Sequence, residues 1–294
     1  MGDVMNLQKY LALIKAVEYG SLTKAAESLN YTQSGVSRML GDLEAEWGVT
    51  LLERGKSGVT LTSDGLKLFA QIQRVCNEQA LLAAQVADLQ DGSSGLIRIG
   101  TFSSVATHWL PNMIKRFEQD YPKTEFELLL GDYTEIESWI RQGRVDFGFL
   151  RLPTEAAFDT VSIEERDRLL VVLPKTHRLA ECDRFPLKAL EREPFMLLEK
   201  GAKAEIAAIF ERHGLHPQVR FTTWDDYAIM SMVENGLGIS ILPELILQRI
   251  PYDIVTKELE VPAYRHIGLA MRNRKSLPCA AERFLDYLPH RYKI

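Results

Sequence analysis

The sequence predicts two folds in series: an α N-terminal winged helix-turn-helix with a long linker helix, then an α/β domain of two subdomains. Three observations point there. Helical periodicity fills the first 90 residues almost without interruption. Asp91-Gly92-Ser93-Ser94-Gly95 is the one linker-like cluster in the chain. Beyond it, short apolar strands alternate with amphipathic helices, the pattern of a parallel or mixed sheet covered by helices.

The elements follow in order. Leu7, Tyr10, Leu11, Ile14 and Val17 recur at helical spacing, and Gly20 offers a stop. Ser21 caps a second helix, Leu22 to Leu29, in which Ala25 and Ala26 form a small-residue face. Asn30-Tyr31 breaks the pattern, and Thr32 caps a third helix that runs through Val36, Met39, Leu40, Leu43 and Trp47 to Gly48. Leu51 to Leu61, with Gly55 and Gly58 near its middle, reads as two short strands around a glycine-rich tip, a hairpin or wing.

Thr62 or Ser63 then starts a long helix to about residue 90, with Leu66, Phe69, Ile72, Cys76, Leu81, Ala84, Val86 and Leu89 as an apolar stripe. This stripe has no evident partner inside its own short domain, so a second copy of the chain is expected to cover it. The expected strands beyond the linker are Leu96–Gly100, Glu125–Leu130, Val145–Leu150, Leu169–Leu173, Phe195–Leu198, Ile239–Leu242 and His266–Met271. Val145–Leu150 leads out of the first α/β unit and His266–Met271 leads back. The expected division is therefore 1–62 for the winged helix-turn-helix, 63–90 for the linker helix and 91–95 for a hinge. Residues 96–294 follow, with subdomain I at 96–163 and 265–294 and subdomain II at 164–264.

Composition excludes several classes. With 294 residues, 46% hydrophobic and 26% charged, the chain has the make-up of a soluble multi-unit protein. It holds no apolar run long enough to span a bilayer, and Met1 to Tyr10 lacks the layout of a secretion signal, so a cytoplasmic protein is expected. Cys76, Cys182 and Cys279 stand far apart with no CxxC pair, which is neither a disulfide framework nor a zinc site. Isolated thiols are the expected reading, ahead of a redox pair between Cys182 and Cys279. No cofactor is called for.

Net charge gives no hint of nucleic acid. The chain carries −5 overall, and residues 1–62 hold six basic residues against seven acidic ones. Placement matters more than the sum. A helix-turn-helix needs small residues where its helices cross and short polar or cationic side chains at the start of the second. Ala25 and Ala26 meet the first need. Gln33, Ser34, Ser37 and Arg38 meet the second: Gln33 suits an adenine edge, the serines a base or a phosphate, and Arg38 a guanine or a phosphate. Lys24, with Ser21 and Thr23 beside it, is placed for the DNA backbone, and Arg54 or Lys56 on the wing for the flanking minor groove. Asp42, Glu44 and Glu46 lie a turn or more from the reading end. Periodicity alone would also suit a plain helical packing module; the conjunction of crossing, cap, polar face and basic wing favours DNA.

These residues resemble the LysR-type transcriptional regulator signature. The resemblance rests on Gly20-Ser21-Leu22-Thr23-Lys24-Ala25-Ala26-Glu27-Ser28-Leu29 and on Thr32-Gln33-Ser34-Gly35-Val36-Ser37-Arg38. Leu51-Leu52-Glu53-Arg54, Leu61-Thr62-x-Asp64-Gly65, Ile97-Arg98-Ile99-Gly100, Leu110-Pro111, Tyr121-Pro122, Gly143-x-x-Asp146 and Gly236-Leu237-Gly238-Ile239 extend it over essentially the whole chain. The family more often has Pro or Ala at Ser34 and Gly35, and more arginines after Arg38. The resemblance implies a periplasmic-binding-protein-like effector domain, linker helices that pair into dimers, and dimers that assemble into tetramers on double-stranded DNA with an interrupted palindromic operator. RNA polymerase is a further partner this reading allows; a membrane is not.

A two-lobed α/β unit offers a cleft at the C-terminal ends of its strands. Thr101, Phe102, Ser103 and Ser104 follow the first strand and suit a carboxylate or other small anion. Glu199, Lys200, Gly201 and Lys203 form the facing loop, and Tyr133, Phe149, Arg151 and Trp224 are further candidates for a small anionic or amphipathic metabolite. Two rivals remain. An enzyme would need a site that the chain does not display: His213-x-x-His216 has no third ligand, Ser103 has no evident base, and no Gly-x-Ser-x-Gly or phosphate loop occurs. A ligand-independent architectural DNA binder would fill its cleft with side chains.

Overall fold

The computed structural model describes residues 7–55, 58–91, 94–154, 156–198 and 205–292. Contacts divide the chain into Met1–Ala83 and Ala84–Ile294. No helix among the described residues is long and apolar enough to cross a membrane.

The first unit begins with α1 (Leu7–Tyr19), α2 (Leu22–Ser28) and α3 (Gln33–Trp47). Their apolar faces close on one core in which Leu13, Ala25, Val36 and Leu51 are fully buried. Ala25 and Ala26 face inward from α2, where larger side chains would hold the helices apart. Asn30 takes a left-handed conformation at φ 58°, which Asn tolerates better than most residues and which turns the chain from α2 into α3. Thr32 then caps α3: its hydroxyl accepts the Gly35 N–H at 3.1 Å. Thr32→Ala is expected to cost about 1 kcal/mol, read as a lower unfolding temperature of this unit by Trp47 fluorescence.

Strands β1 (Leu52–Gly55) and β2 (Gly58–Leu61) pair antiparallel, Leu52 opposite Leu61, and form the wing. Thr62 caps α4 (Ser63–Asp91) by accepting the Gly65 N–H at 2.9 Å. Gly65 is glycine for a steric reason, since a Cβ there would come within 2.3 Å of the Leu51 carbonyl oxygen. The apolar stripe of α4 is split, which corrects the expectation that it lacks a partner in its own domain. Ile72 and Cys76 are buried in the N-terminal core with Phe69 packed against it, whereas Leu66, Leu82 and Val86 are exposed.

The second unit opens with β3 (Ser94–Thr101), α5 (Ser103–His108), α6 (Leu110–Asp120), β4 (Lys123–Leu130), α7 (Tyr133–Gln142) and β5 (Phe147–Arg151). Strand β3 lies parallel to both β4 and β5. The buried Asp146 carboxylate fixes this junction by accepting the Arg98 N–H at 2.7 Å and its guanidinium at 2.8 Å. That pair gives the Gly143-x-x-Asp146 motif its physical content.

Strand β6 (Asp159–Pro174) is the long element of the domain. After it come β7 (Arg184–Phe185), β8 (Pro194–Leu198), α8 (Glu205–His213), β9 (Gln218–Thr223) and α9 (Asp226–Glu234). Strands β10 (Ser240–Pro243), β11 (Ile254–Leu259) and β12 (Tyr264–Met271) precede α10 (Cys279–Leu285). The large sheet runs β4-β3-β5-β12-β6-β11-β7, with β10 also on β6, while β8 and β9 form a separate parallel pair.

Two lobes result, each with its own core. The outgoing connection differs from expectation. It is β6, not the strand at Val145–Leu150, that crosses: its Asp159–Arg168 portion pairs with β12, and Leu169–Pro174 pairs with β10 and β11. The returning strand β12 pairs with both β5 and β6.

Candidate nucleic-acid interface and inter-lobe cleft

The N-terminal end of α3 presents a polar face. Gln33, Ser34 and Arg38 are exposed and Ser37 is half-buried. Nothing holds Arg38 firmly: its side chain is 86% exposed and its Nε lies 4.0 Å from Asp42, a surface pair that DNA phosphate or guanine outcompetes at little cost. The wing is tied to this face. The Arg54 guanidinium donates to the Ser37 hydroxyl at 3.0 Å, and the Glu44 carboxylate accepts the Leu51 and Leu52 N–H groups at 2.6 and 3.0 Å. Glu44 thus anchors the wing to α3, a role its sequence position did not reveal; it is not simply an acid set aside from the reading end.

On α2, Thr23 and Lys24 are exposed. Ser21 is half-buried and caps the helix, its hydroxyl accepting the Lys24 N–H at 3.4 Å. Thr32 keeps its hydroxyl near that of Ser34, at 3.2 Å, while capping α3. Lys56 lies outside the described residues.

Between the lobes, the centre is a buried guanidinium. Arg265, 3% exposed on β12, donates to the Asp167 carboxylate at 2.5 Å, to the Ser104 hydroxyl at 2.7 Å and to the Tyr133 phenol oxygen at 3.3 Å. Its guanidinium carbon also stands 5.0 Å from the centre of the Phe102 ring. Asp167, in turn, accepts the Leu245 N–H at 2.9 Å, so β6, β12, α5, α7 and the segment after β10 meet at one ion pair. Burial pushes the Tyr133 phenol well above its ordinary range and Glu205 adds to that. The phenol stays neutral, its oxygen accepting from Arg265.

Arg151 closes the lobes from one side, its Nε lying 3.6 Å from a Glu205 oxygen across the gap. On another side α5 packs against the 3-10 turn Ile246–Arg249. Here burial lowers the His108 pKa from its ordinary 6.5, a hydrogen bond to the Ile246 backbone opposing it and Arg249 adding to it. A base whose folded pKa is depressed binds its proton in the unfolded chain first. The stability is therefore full above pH 6.5 and declines as pH falls from there toward the lowered folded value. His108→Gln is expected to flatten that decline in unfolding midpoints measured between about pH 7.5 and about pH 5.5, about one unit either side of the ordinary histidine value.

Comparisons with known proteins decide the family. Residues 7–66 match the family described as bacterial regulatory helix-turn-helix protein, lysR family, and residues 90–293 match the LysR substrate binding domain. The chain belongs to the LysR family. The HTH-type transcriptional regulator YvbU of Bacillus subtilis is 33% identical, the alignment covering 96% of this chain and 97% of that one. The probable HTH-type transcriptional regulator LrrA of Synechococcus elongatus is 34% identical, with 97% and 96% covered. The fold is shared with full-length CbnR complexed with its target DNA, at a TM-score of 0.73 and 21% identity over 97% of this chain and 99% of that one.

As a LysR-type regulator the chain is a DNA-binding transcription regulator with an effector-binding domain. The predicted effector residues of this LysR domain divide into groups. Thr101 and Phe102 are each 1% exposed, and Phe149 is fully buried with its ring against Trp109 and Phe147. These are core residues with no surface for a ligand, which corrects their expected role. Ser104 is 2% exposed and already engaged by Arg265. Ser103, Tyr133 and Arg151 are half-buried, whereas Trp224 is 62% exposed. Glu199, Lys200, Gly201 and Lys203 lie outside the described residues. Arg265, Asp167 and Glu205 were missed. The readable signal for Arg265 is a lone cation ahead of the apolar run Ile267 to Met271. Among the described residues no cluster of metal-ligating side chains forms, at His213 and His216 or elsewhere.

Proposed function

We propose that this LysR-type regulator reads its operator with Gln33, Ser34, Ser37 and Arg38 in the major groove. Ser21, Thr23, Lys24 and Thr32 hold phosphates, and Arg54 and Lys56 reach the flanking minor groove. The observation that carries this reading is the exposed polar end of α3, with the wing tied beside it through Arg54 and Ser37. The domain division at 62, 90 and 95 belongs to the same proposal. So do a cytoplasmic location and action without catalysis. The exposed Leu66, Leu82 and Val86 of α4 supply the seam for a second copy, and paired dimers give a tetramer on an interrupted palindrome.

A small anionic or amphipathic effector between the lobes then acts through Ser103, Tyr133 and Arg151. A ligand changes DNA binding only by favouring one lobe arrangement over another. The Arg151–Glu205 pair is the contact such a ligand competes with. Methylation protection on the regulated promoter tests the DNA half. Two protected major-groove patches about 34 Å apart, or a multiple of that, are expected for a dimer. A single patch, or protection confined to the minor groove, contradicts the reading.

A further inference from the structure

Helix α3 holds a glycine that nothing inside the protein requires. Gly41 stands in the middle of Gln33–Trp47, where glycine is less favourable than any residue but proline, because its backbone loses the most freedom on folding. A glycine is usually kept for a positive φ or for a close neighbour. Gly48, which ends the same helix, has φ 66°. At Gly35 a Cβ would crowd the capping hydroxyl of Thr32 at 3.1 Å. Gly41 has neither reason. Its backbone is plain α-helix, and a Cβ there meets nothing within 4 Å outside its own helical turns.

Its place on the helix supplies a reason outside the protein. Gly41 follows Ser37 by four residues and Arg38 by three, so it continues their face one turn further on, away from the buried Val36, Leu40 and Leu43. Ala45, a turn later still, is exposed and small as well. We infer that Gly41 is a clearance position for DNA. With no Cβ, the middle of α3 lies close against the wall of the major groove, and the helix enters deeply enough for Gln33 and Arg38 to reach base edges. The major groove is about 12 Å wide and a helix with its side chains about 10–12 Å across, so one methyl group on the groove-facing side takes up the slack. This role rests on the α3 reading proposed above and adds to it a residue that makes no polar contact. Specificity is what it governs. A hydrogen bond fails once its atoms part by about half an ångström, whereas attraction to phosphate falls off slowly with distance. A helix lifted by a methyl group therefore loses its operator and keeps its grip on any duplex.

Gly41→Ala separates fold from function, because the two move in opposite directions. The substitution is expected to raise the unfolding temperature of the N-terminal unit by about 4 °C. Anisotropy titrations of the full-length protein use the duplex that the parent selects from a random-sequence pool, and a scrambled duplex of the same composition. Gly41→Ala is expected to weaken the selected duplex by about tenfold and to leave the scrambled one within about twofold of the parent. Gly41→Leu is expected to weaken the selected duplex by about tenfold more. An alanine variant that binds the selected duplex as tightly as the parent overturns the inference. So does an equal loss on both duplexes, or the same loss with alanine as with leucine. Gln33→Ala and Arg38→Ala in the same titrations keep the two readings apart. If they weaken binding while Gly41→Ala does not, the clearance role falls and the α3 reading stands; if none of the three matters, both fall.

Discussion

Asp167→Ala is expected to remove roughly 3–5 kcal/mol from the C-terminal unit, because it strands a buried cation. Arg265 and Asp167 have side chains only 2% and 5% exposed, so water reaches neither charge once the partner is gone. Ser104 and Tyr133 remain as neutral acceptors, which do not offset a buried guanidinium. The Leu245 N–H loses its acceptor at the same time. A loss of this size is comparable to much of a typical domain's stability. The effect is specific to a half-removed pair. Asp167→Leu combined with Arg265→Met is expected to recover most of the loss, since replacing both charges by apolar groups avoids their desolvation. Denaturant titration followed by Trp109, Trp139 and Trp224 reports this unit. The N-terminal unit is expected to unfold as in the parent, which helix content in the residual transition reports.

Replacing Gln33 and Arg38 together by alanine is expected to have the largest effect on DNA. Each well-placed base contact contributes about 1–3 kcal/mol of discrimination, so even the lower value for both lowers specific affinity by about thirtyfold. Stability is expected to move by less than about 0.5 kcal/mol, because both side chains are exposed and only the long Arg38–Asp42 pair is lost. Anisotropy titrations on operator and on unrelated duplex separate the two contributions. Salt dependence adds a second reading. If Arg38 bonds a phosphate, Arg38→Ala lowers the slope of log affinity against log salt by about 0.9. If it bonds guanine, the slope holds and the discrimination falls.

The fold was legible where periodicity and caps are local. Ser21, Thr32 and Gly48 mark helix ends that the structure keeps, and the wing closes around Gly55 and Gly58. Most apolar strands were visible as runs, because each is buried in one lobe's core. The first half of β6 was not. Asp159 to Arg168 is largely polar, and it is a strand because β12 lies beside it, a partner about 100 residues away. Strand β9, Gln218–Thr223, escaped for a related reason: it pairs on one side only, and four of its residues are exposed.

The site followed the same rule. The reading face of α3 could be named because helical spacing fixes which residues share it. The centre of the cleft could not, since Arg265, Asp167, Ser104 and Tyr133 come from four distant segments that only tertiary packing brings together. Sequence reasoning placed Phe102 and Phe149 at the ligand because both were read as loop residues at the C-terminal ends of strands, where the cleft opens. Phe102, however, stands just before α5, and Phe149 lies in a strand whose run from Phe147 to Leu150 is buried on both faces. Both turned inward.

The claim on which this account depends is that Gln33 reads a base. The direct measurement is the affinity of the parent protein and of Gln33→Ala for the operator and its single-base variants. The account predicts that the alanine variant loses discrimination by about 1–3 kcal/mol at one base position of each half-site and keeps the parent profile elsewhere. A Gln33→Ala profile that matches the parent's at every position would contradict it.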